Sequence, residues 1–331
     1  PLIAARQAEG FSVRVVNVED LYRYYNDGVV DPIAIQMAIA DAYTRLGTRY
    51  VLLVGGDTLD YMNYTGANSI SYVPTPYRTT SQFIRFGAAD GVYADVDNDG
   101  LSDLAIGRFP VRTVAELNSV IGKTLAYATA SFGGRSLLVS DRTSGGVNYG
   151  NQLAPIGNYL GAGWTNQEVR LQNYPSGAAA QARTDLVAAV DNGAALVAYL
   201  GHSAPGTWTF EGLLTSSHVY SGAFSNASKP TLVWSIGCYG TYFVDPLYNT
   251  VAHGMLLQGN GGAAAVLGAS GLTDVSSDVA WINAIGNKLT VERIGDAQRL
   301  AQRILKQAGP EFRDVYLGAN LLGDPALRLH P

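Results

Sequence analysis

Cysteine is nearly absent from this sequence, which has one among 331 residues and so cannot form a disulfide within the chain. Charge is also scarce, because Asp, Glu, Lys and Arg make up 15% of the residues and the formal net charge is −5. The basic residues do not cluster, which argues against a nucleic-acid partner. No apolar run approaches the length of a membrane span. The 47% of hydrophobic residues instead indicates a globular protein with a sizeable core.

Short apolar runs alternate with helical patterns along most of the chain. The runs at 50–54, 195–200, 231–236 and 263–267 are typical of strands buried on both faces. A helix is predicted from Pro32, with Asp31 as its N-cap and Gly47 at its end. A further strand is predicted at 13–16. This alternation predicts an α/β fold, a three-layer αβα arrangement with parallel-rich sheets.

Two glycines, Gly133 and Gly134, interrupt the pattern, and the alternation of strand and helix restarts after them. The sequence therefore predicts two adjacent α/β subdomains, 1–132 and 133–331. In the first of them, about forty residues after Asp57 are irregular and rich in Tyr, Pro and Thr, and a loop of that length inside a domain is usually functional.

Reactive side chains follow two of the predicted buried strands. Gly201-His202 follows the run at 195–200, and Gly237-Cys238 follows the run at 231–236. Ligands of open α/β sheets bind outside the carboxyl ends of the strands, so neighbouring strands would bring the imidazole and the thiol together. An adjacent imidazole can ionise a thiol for attack on a carbonyl carbon and later protonate the leaving amine. The N–H of Cys238, with one from the turn after His202, could form an oxyanion hole.

A structural interpretation stays open for the same residues. Cys238 would then be an inert thiol at a strand end, and His202 a hydrogen-bonded loop histidine. The other three histidines, His218, His253 and His330, are predicted to be structural.

Several tracts resemble the gingipain family, peptidase family C25 of the caspase-like clan. Two of them contain the histidine and the cysteine: Tyr199–His202 followed by Trp208, and Ser235–Cys238. The remaining tracts occur in the family's order, at Tyr50–Asp57, Asp90–Tyr93, Ile106–Phe109 and Leu322–Arg328. The resemblance covers nearly the whole chain.

This resemblance implies a caspase-like fold and a cysteine peptidase acting on polypeptides, with Cys238 as nucleophile and His202 as general base. An acidic residue near the histidine is also implied, and Asp141 is the nearest candidate, although a turn-capping role is an equal alternative for it. Ser203 stands where the family usually has glycine, a change that a negative φ would tolerate. The stretch 143–160 has no acidic residue, so strict preference for Arg or Lys before the scissile bond is not expected.

An acidic loop at 95–103 has carboxylates at its positions 1, 3, 5 and 9 and glycine at position 6. This is the front part of a calcium loop, although position 12 is Ile106 and not the glutamate of an EF-hand. The predicted Ca²⁺ ligands are Asp95, Asp97, Asp99, Leu101 and Asp103. A solvated acidic turn is the alternative, and a bound ion would brace the long loop without taking part in catalysis.

Three functions remain open from the sequence. The first is an endopeptidase that forms an acyl-enzyme on Cys238. The second is a transpeptidase of the same family in bacterial protein export, and the third is an inactive, calcium-binding surface domain. In each case a secreted or cell-surface bacterial protein is expected, with this chain as one domain of a longer precursor. The sequence predicts no oligomeric state.

Overall fold

Apolar runs that are continuous in the sequence become the central strands of the computed structural model, which describes all 331 residues. The strands are β1 (Tyr50–Val54), β2 (Tyr77–Arg78), β3 (Gly87–Ala88), β4 (Ala105–Phe109), β5 (Arg135–Ser140), β6 (Thr165–Arg170), β7 (Leu196–Leu200), β8 (Ser203–Ala204), β9 (Thr207–Trp208), β10 (Leu214–Thr215), β11 (Thr231–Ile236), β12 (Ala263–Ala269) and β13 (Ala319–Leu322).

The α-helices are α1 (Leu2–Ala8), α2 (Val18–Tyr25), α3 (Pro32–Leu46), α4 (Val114–Thr129), α5 (Tyr149–Leu153), α6 (Pro155–Leu160), α7 (Ala179–Asp191), α8 (Ser216–Tyr220), α9 (Val251–Leu257), α10 (Val275–Ile285), α11 (Lys288–Val291), α12 (Ile294–Ala308) and α13 (Arg313–Tyr316). Short 3₁₀ helices lie at Asp90–Ala94, Leu171–Asn173 and Pro310–Phe312. Helix α3 begins and ends where the sequence predicts, because Asp31 accepts a hydrogen bond from Ile33 N and Gly47 adopts the left-handed conformation. No helix combines the length and the apolar character needed to cross a bilayer.

Eight strands form one sheet in the order β1-β4-β13-β12-β11-β7-β5-β6. Neighbours are parallel except for β12 and β13, so β1, β4 and β13 run opposite to the other five. The carboxyl ends of those five strands meet at one edge of the sheet, which we call the carboxyl edge. Because the sheet continues from β4 to β13, the predicted subdomains 1–132 and 133–331 share it, the first contributing two strands and the second six.

Helices cover both faces of the sheet, as predicted for a three-layer αβα fold. On one face, Val197 and Tyr199 of β7 join a core with residues of α4, α7 and α9. On the other, Leu196, Ala198 and Leu200 of the same strand join a core with residues of α5, α10 and α12. Burying one such aliphatic side chain contributes about 1.5–3 kcal/mol. Helices α2 and α3 pack around β1 in a third, smaller cluster.

The prediction of a strand at 13–16 is wrong. These residues form neither strand nor helix, and the side chains of Val15 and Val16 are exposed. Val15 and Val16 are β-branched, which favours extended backbone, but a strand also needs a neighbour for its hydrogen bonds, and β1 ends the sheet on this side.

Candidate active site

The predicted histidine and cysteine follow two strands that are neighbours. Strand β11 pairs in parallel with β7, and Ile236 lies opposite Leu200. Both Gly237-Cys238 and Gly201-His202 therefore leave the carboxyl edge side by side. The sequence predicts that the two side chains meet only if these two strands are neighbours, and in the structure they are.

Glycines before both residues allow the turns to pack against each other. A Cβ on Gly237, whose φ is +139°, would lie 2.5 Å from the carbonyl oxygen of Gly201. A Cβ on Gly201 would lie 2.3 Å from the Cβ of Asp141. Such separations are below any real contact, so only glycine fits at either position.

The imidazole of His202 is held by two aromatic side chains. Its Nε2 lies 3.2 Å from the hydroxyl of Tyr149, the first residue of α5. On another side, the ring of Phe210 has its centroid 4.4 Å from that of the imidazole and is itself 87% exposed. The histidine ring thus borders solvent and has one fixed hydrogen-bond partner.

The thiol of Cys238 is half-buried and contacts Thr273, a residue of the loop that follows β12. The Thr273 N–H donates to Sγ over 3.5 Å, and the Thr273 carbonyl oxygen lies 3.7 Å from Sγ. Burial raises the pKa of the Cys238 thiol, and the Thr273 N–H lowers it. No hydrogen bond joins Sγ to the His202 ring.

The main-chain N–H of Cys238 donates to no other group of the protein. Its carbonyl oxygen accepts a 2.6 Å hydrogen bond from Ser203 Oγ. Ser203 is not among the residues of positive φ, so serine fits where a glycine is usual in the resembled family. The serine hydroxyl therefore ties the histidine turn to the cysteine turn.

Asp141 follows β5, the strand on the other side of β7, and is buried. One carboxylate oxygen accepts from the N–H of Arg142 over 2.7 Å, the other from the N–H of His202 over 3.1 Å. Burial raises the pKa of Asp141, and these two N–H groups lower it. The carboxylate contacts the main chain of His202 and makes no hydrogen bond to its ring, which is the geometry of a turn cap.

The residue after the cysteine has an unusual backbone. Tyr239 has φ +56°, in the left-handed region that residues other than glycine seldom occupy. Its N–H donates to the carbonyl oxygen of Gly271 over 2.7 Å, in the same loop as Thr273. Backbone strain of this kind is common at active sites, where it helps to orient a reactive side chain.

Sequence reasoning missed Tyr149 and Thr273. Thr273 could have been found, since it follows β12, and the loops after neighbouring strands share one edge. Tyr149 had no such signal, because it starts a short helix whose position depends on the packing of α5 against β5 and β7.

The other three histidines are structural, as predicted. His218 closes a capping box with Thr215 at the start of α8. His253 is fully buried in α9 and its Nδ1 lies 3.0 Å from Thr250 Oγ1. His330 packs its ring against Tyr127.

The acidic loop precedes β4, at the same edge of the sheet as the cysteine but three strands away from β11. Carboxylate oxygens of Asp95, Asp97 and Asp99 lie within 4.8 Å of one another. Asp103 binds elsewhere, to the N–H of Val96 and to the side chain of Arg303. The structure assembles three of the predicted ligands into one cluster and places Asp103 beside it, while Leu101 donates its N–H to Asp99.

Several solved structures have a similar fold. The complex of Porphyromonas gingivalis RgpB pro- and mature domains matches with a TM-score of 0.76 at 18% identity, over 97% of this chain and 74% of that one. The Arg-specific cysteine proteinase gingipain R has a TM-score of 0.74 at 17% identity, over 98% and 76%. A structure described only as a protease has a TM-score of 0.69 at 15% identity, over 92% and 71%.

No curated protein matches the chain. The model of peptidase family C25, in contrast, matches residues 1–330. The caspase-like α/β fold, the Cys and His tracts at neighbouring strand ends and this match agree with one another. The chain belongs to peptidase family C25 and is a cysteine peptidase.

Proposed function

We propose that the protein is an endopeptidase that forms an acyl-enzyme on Cys238, with His202 as general base and acid. The observation that carries the proposal is the position of the two residues at the ends of paired strands β7 and β11. The thiol and the imidazole are both half-buried, and the exposed ring of Phe210 lies against the imidazole. Both groups are thus accessible to a polypeptide.

The reaction uses these groups in two halves. In the complex with substrate, the imidazole accepts the proton of the thiol while Sγ attacks the carbonyl carbon of the scissile bond. The unbonded N–H of Cys238 donates to the oxygen that gains negative charge. The C–N bond then breaks, and the imidazolium gives its proton to the departing amine. Water, deprotonated by the same imidazole, hydrolyses the thioester and regenerates the thiol.

Substitution of each group tests the mechanism on a fluorogenic peptide library. We expect Cys238→Ala and His202→Ala each to lower kcat/KM by at least about a thousandfold, because they act as one unit. His218→Ala is the matched control, since the His218 side chain closes a capping box with Thr215 and bonds neither Cys238 nor His202, and it should retain activity. Cleavage by Cys238→Ala at the wild-type rate would refute the proposal.

For the residue before the scissile bond we propose an uncharged side chain. The groups beside the catalytic pair, Tyr149, Phe210 and Thr273, are uncharged. Both oxygens of Asp141 are occupied by N–H groups. Matched substrates with Phe, Leu, Arg or Lys at this position test the preference, and faster cleavage after Arg or Lys would contradict it.

We also propose that Asp95, Asp97 and Asp99 bind a structural Ca²⁺, with the main-chain oxygen of Leu101, the seventh residue of the loop, as a further ligand. Asp95 Oδ1 is buried and has no hydrogen-bond partner, which suits a hard cation. Burial raises the pKa of Asp95, and the neighbouring carboxylates raise it further. Lys306 donates to the main-chain oxygen of Asp99, and its ammonium lies 3.8 Å from Asp99 Oδ2. This lysine and the ion would therefore compete for the Asp99 carboxylate.

Calcium titration followed by thermal unfolding tests this site. Saturating Ca²⁺ should raise Tm of the wild-type chain and have no effect on Asp97→Asn/Asp99→Asn, because binding to the folded state alone stabilises it. Asp20→Asn is the control, an exposed carboxylate in α2 whose loss should leave the response intact. An equal response in all three proteins would exclude the site. An extracellular location, where Ca²⁺ is abundant, is proposed on the same grounds.

A further inference from the structure

The loop of residues 270–274, which follows β12, supplies every hydrogen-bond contact of the Cys238 thiol. Thr273 presents three groups to Sγ: its N–H at 3.5 Å, its carbonyl oxygen at 3.7 Å and its hydroxyl oxygen at 4.0 Å. A protonated thiol can donate to the carbonyl oxygen. Once the sulfur is ionised, the carbonyl oxygen repels it. The hydroxyl proton is donated to Asp278 Oδ2, so the N–H is the Thr273 donor left for the thiolate, and its position decides how well the thiolate is held.

Several hydrogen bonds hold this loop in place, two of them from Ser270 to the carbonyl oxygens of Gly318 and Ala88. Thr273 Oγ1 donates to Asp278 Oδ2 over 3.2 Å. The N–H of Asp274 donates to Asp314 Oδ2 over 2.8 Å, and Tyr239 N–H binds Gly271. Of these, the bond to Asp278 is the one made by the side chain of the residue that touches the sulfur.

Asp278 lies in the first turn of α10 and is only 3% exposed. Its Oδ2 accepts the Thr273 hydroxyl, while its Oδ1 is buried without any partner. Burying a carboxyl with a single partner is unfavourable, so the position calls for an explanation other than stability.

Charge is consistent with a role near a thiolate. Burial raises the pKa of Asp278 well above its usual value, and the carboxylates of Asp314 and Asp274 raise it further. A neutral acid at this position can accept a hydrogen bond without repelling an ionised sulfur. The other titratable groups near the thiol are Asp314, whose pKa is also raised by burial, the imidazole of His202, and the phenols of Tyr149 and Tyr239, which stay neutral because burial raises the pKa of each.

We propose that Asp278 is a positioning residue for the nucleophile: it holds the Thr273 hydroxyl and thereby keeps the Thr273 N–H directed at Sγ of Cys238. The inference rests on the proposed role of Cys238 as nucleophile. Neither Asp278 nor the Thr273 side chain reacts with substrate.

The pH dependence of Cys238 alkylation by iodoacetamide, on the whole chain, tests this role. The chain has one cysteine, so the label reports on that thiol alone. In Thr273→Val and Asp278→Ala, alkylation at pH 7 should fall about three- to tenfold, because a weakened hydrogen bond moves ionisation to higher pH. The limiting rate at high pH should stay the same. Thr273→Ser and Asp278→Asn preserve the donor and the acceptor and should keep the wild-type profile.

Thr124→Val is the control for loss of a buried hydroxyl, since Thr124 bonds only within α4, to the carbonyl oxygen of Val120. If Asp278→Ala does not fold, Thr273→Val carries the test, because Thr273 is only half-buried. Wild-type profiles for Thr273→Val and Asp278→Ala would overturn the proposal, as would equal shifts in the two conservative variants. Alkylation requires no turnover, so its outcome is separate from that of Cys238→Ala on peptides.

Discussion

At the residue scale, a buried ion pair explains two of the tracts that resemble the family. Arg108 is fully buried, and its guanidinium binds Asp90 through two hydrogen bonds of 2.6 and 2.7 Å. It also donates to the carbonyl oxygens of Gly55 and Val73. One side chain of β4 therefore fastens both ends of the long irregular segment that follows β1.

Removing this guanidinium should destabilise the whole fold. For Arg108→Met we expect the free energy of unfolding to fall by about 3–5 kcal/mol, because Asp90 and the carbonyl groups are left buried without a partner. Arg45→Met is the control: its ion pair with Asp41 is mostly exposed, and the loss should stay below about 1 kcal/mol. Urea unfolding of both variants measures the difference, and equal effects would contradict this account.

Glycine at the carboxyl edge makes a second residue-scale prediction. Gly237→Ala should lower both the stability and the reactivity of Cys238, because its Cβ would collide with the carbonyl oxygen of Gly201. Gly122→Ala, in α4, meets no atom within 4 Å and should instead stabilise the chain by about 0.5–1 kcal/mol. Thermal unfolding and Cys238 alkylation compare the two variants. If Gly237→Ala changed neither stability nor alkylation, the turns at Gly201 and Gly237 would be able to move apart.

At the scale of single elements, α9 contains a buried histidine with a consequence for acid stability. Burial, together with a smaller effect of the nearby Arg112, lowers the pKa of His253 to about 3. In the unfolded chain the same group has a pKa of 6.5. Between these values the unfolded state binds the extra proton, so the histidine's stabilising contribution is full above pH 6.5 and is lost as the pH falls toward 3.

Replacing this histidine should flatten the acid limb of the stability curve. His253→Gln is expected to lose less stability than the wild type between pH 6.5 and pH 4, whatever its stability at pH 8. His218→Gln, at a half-buried histidine, is the comparison and should change the slope of stability against pH less. Urea unfolding at several pH values provides the slopes, and parallel curves for His253→Gln and the wild type would disprove the assignment.

At the scale of the whole molecule, the sheet joins the two predicted subdomains. Strand β13, from the end of the chain, pairs with β4, and the side chains of Arg6 and Asp324 form a buried ion pair of 2.9 Å. The boundary at 133–134 stays a prediction. It separates two stretches of sequence that build one sheet.

This continuity predicts how fragments behave. Fragment 1–132 keeps only β1 and β4 of the main sheet, and two strands are marginal alone, so we expect it to be unfolded in isolation. Co-expressed with 133–331, it should assemble into a complex with native circular dichroism. A cooperative unfolding transition of isolated 1–132 would show instead that the subdomains are independent.

The fold was largely predictable from sequence because its strands are buried on both faces and therefore appear as continuous apolar runs, while helices such as α3 carry caps at both ends. The strand predicted at 13–16 failed because extended propensity does not supply a partner strand. Sheet order was not predictable, since the reversal between β12 and β13 depends on how the last segment returns to the middle of the sheet.

For the proposed active site, local sequence pointed to Cys238 and His202, because each follows a glycine at the end of an apolar strand. Tertiary structure decided what surrounds them. It placed Asp141 on the histidine main chain instead of the ring, and it brought Thr273 and Asp278 to the thiol from a loop and helix about 35 to 40 residues further along the chain. Contacts of this kind arise from strand pairing and helix packing, and no short stretch of sequence contains both partners.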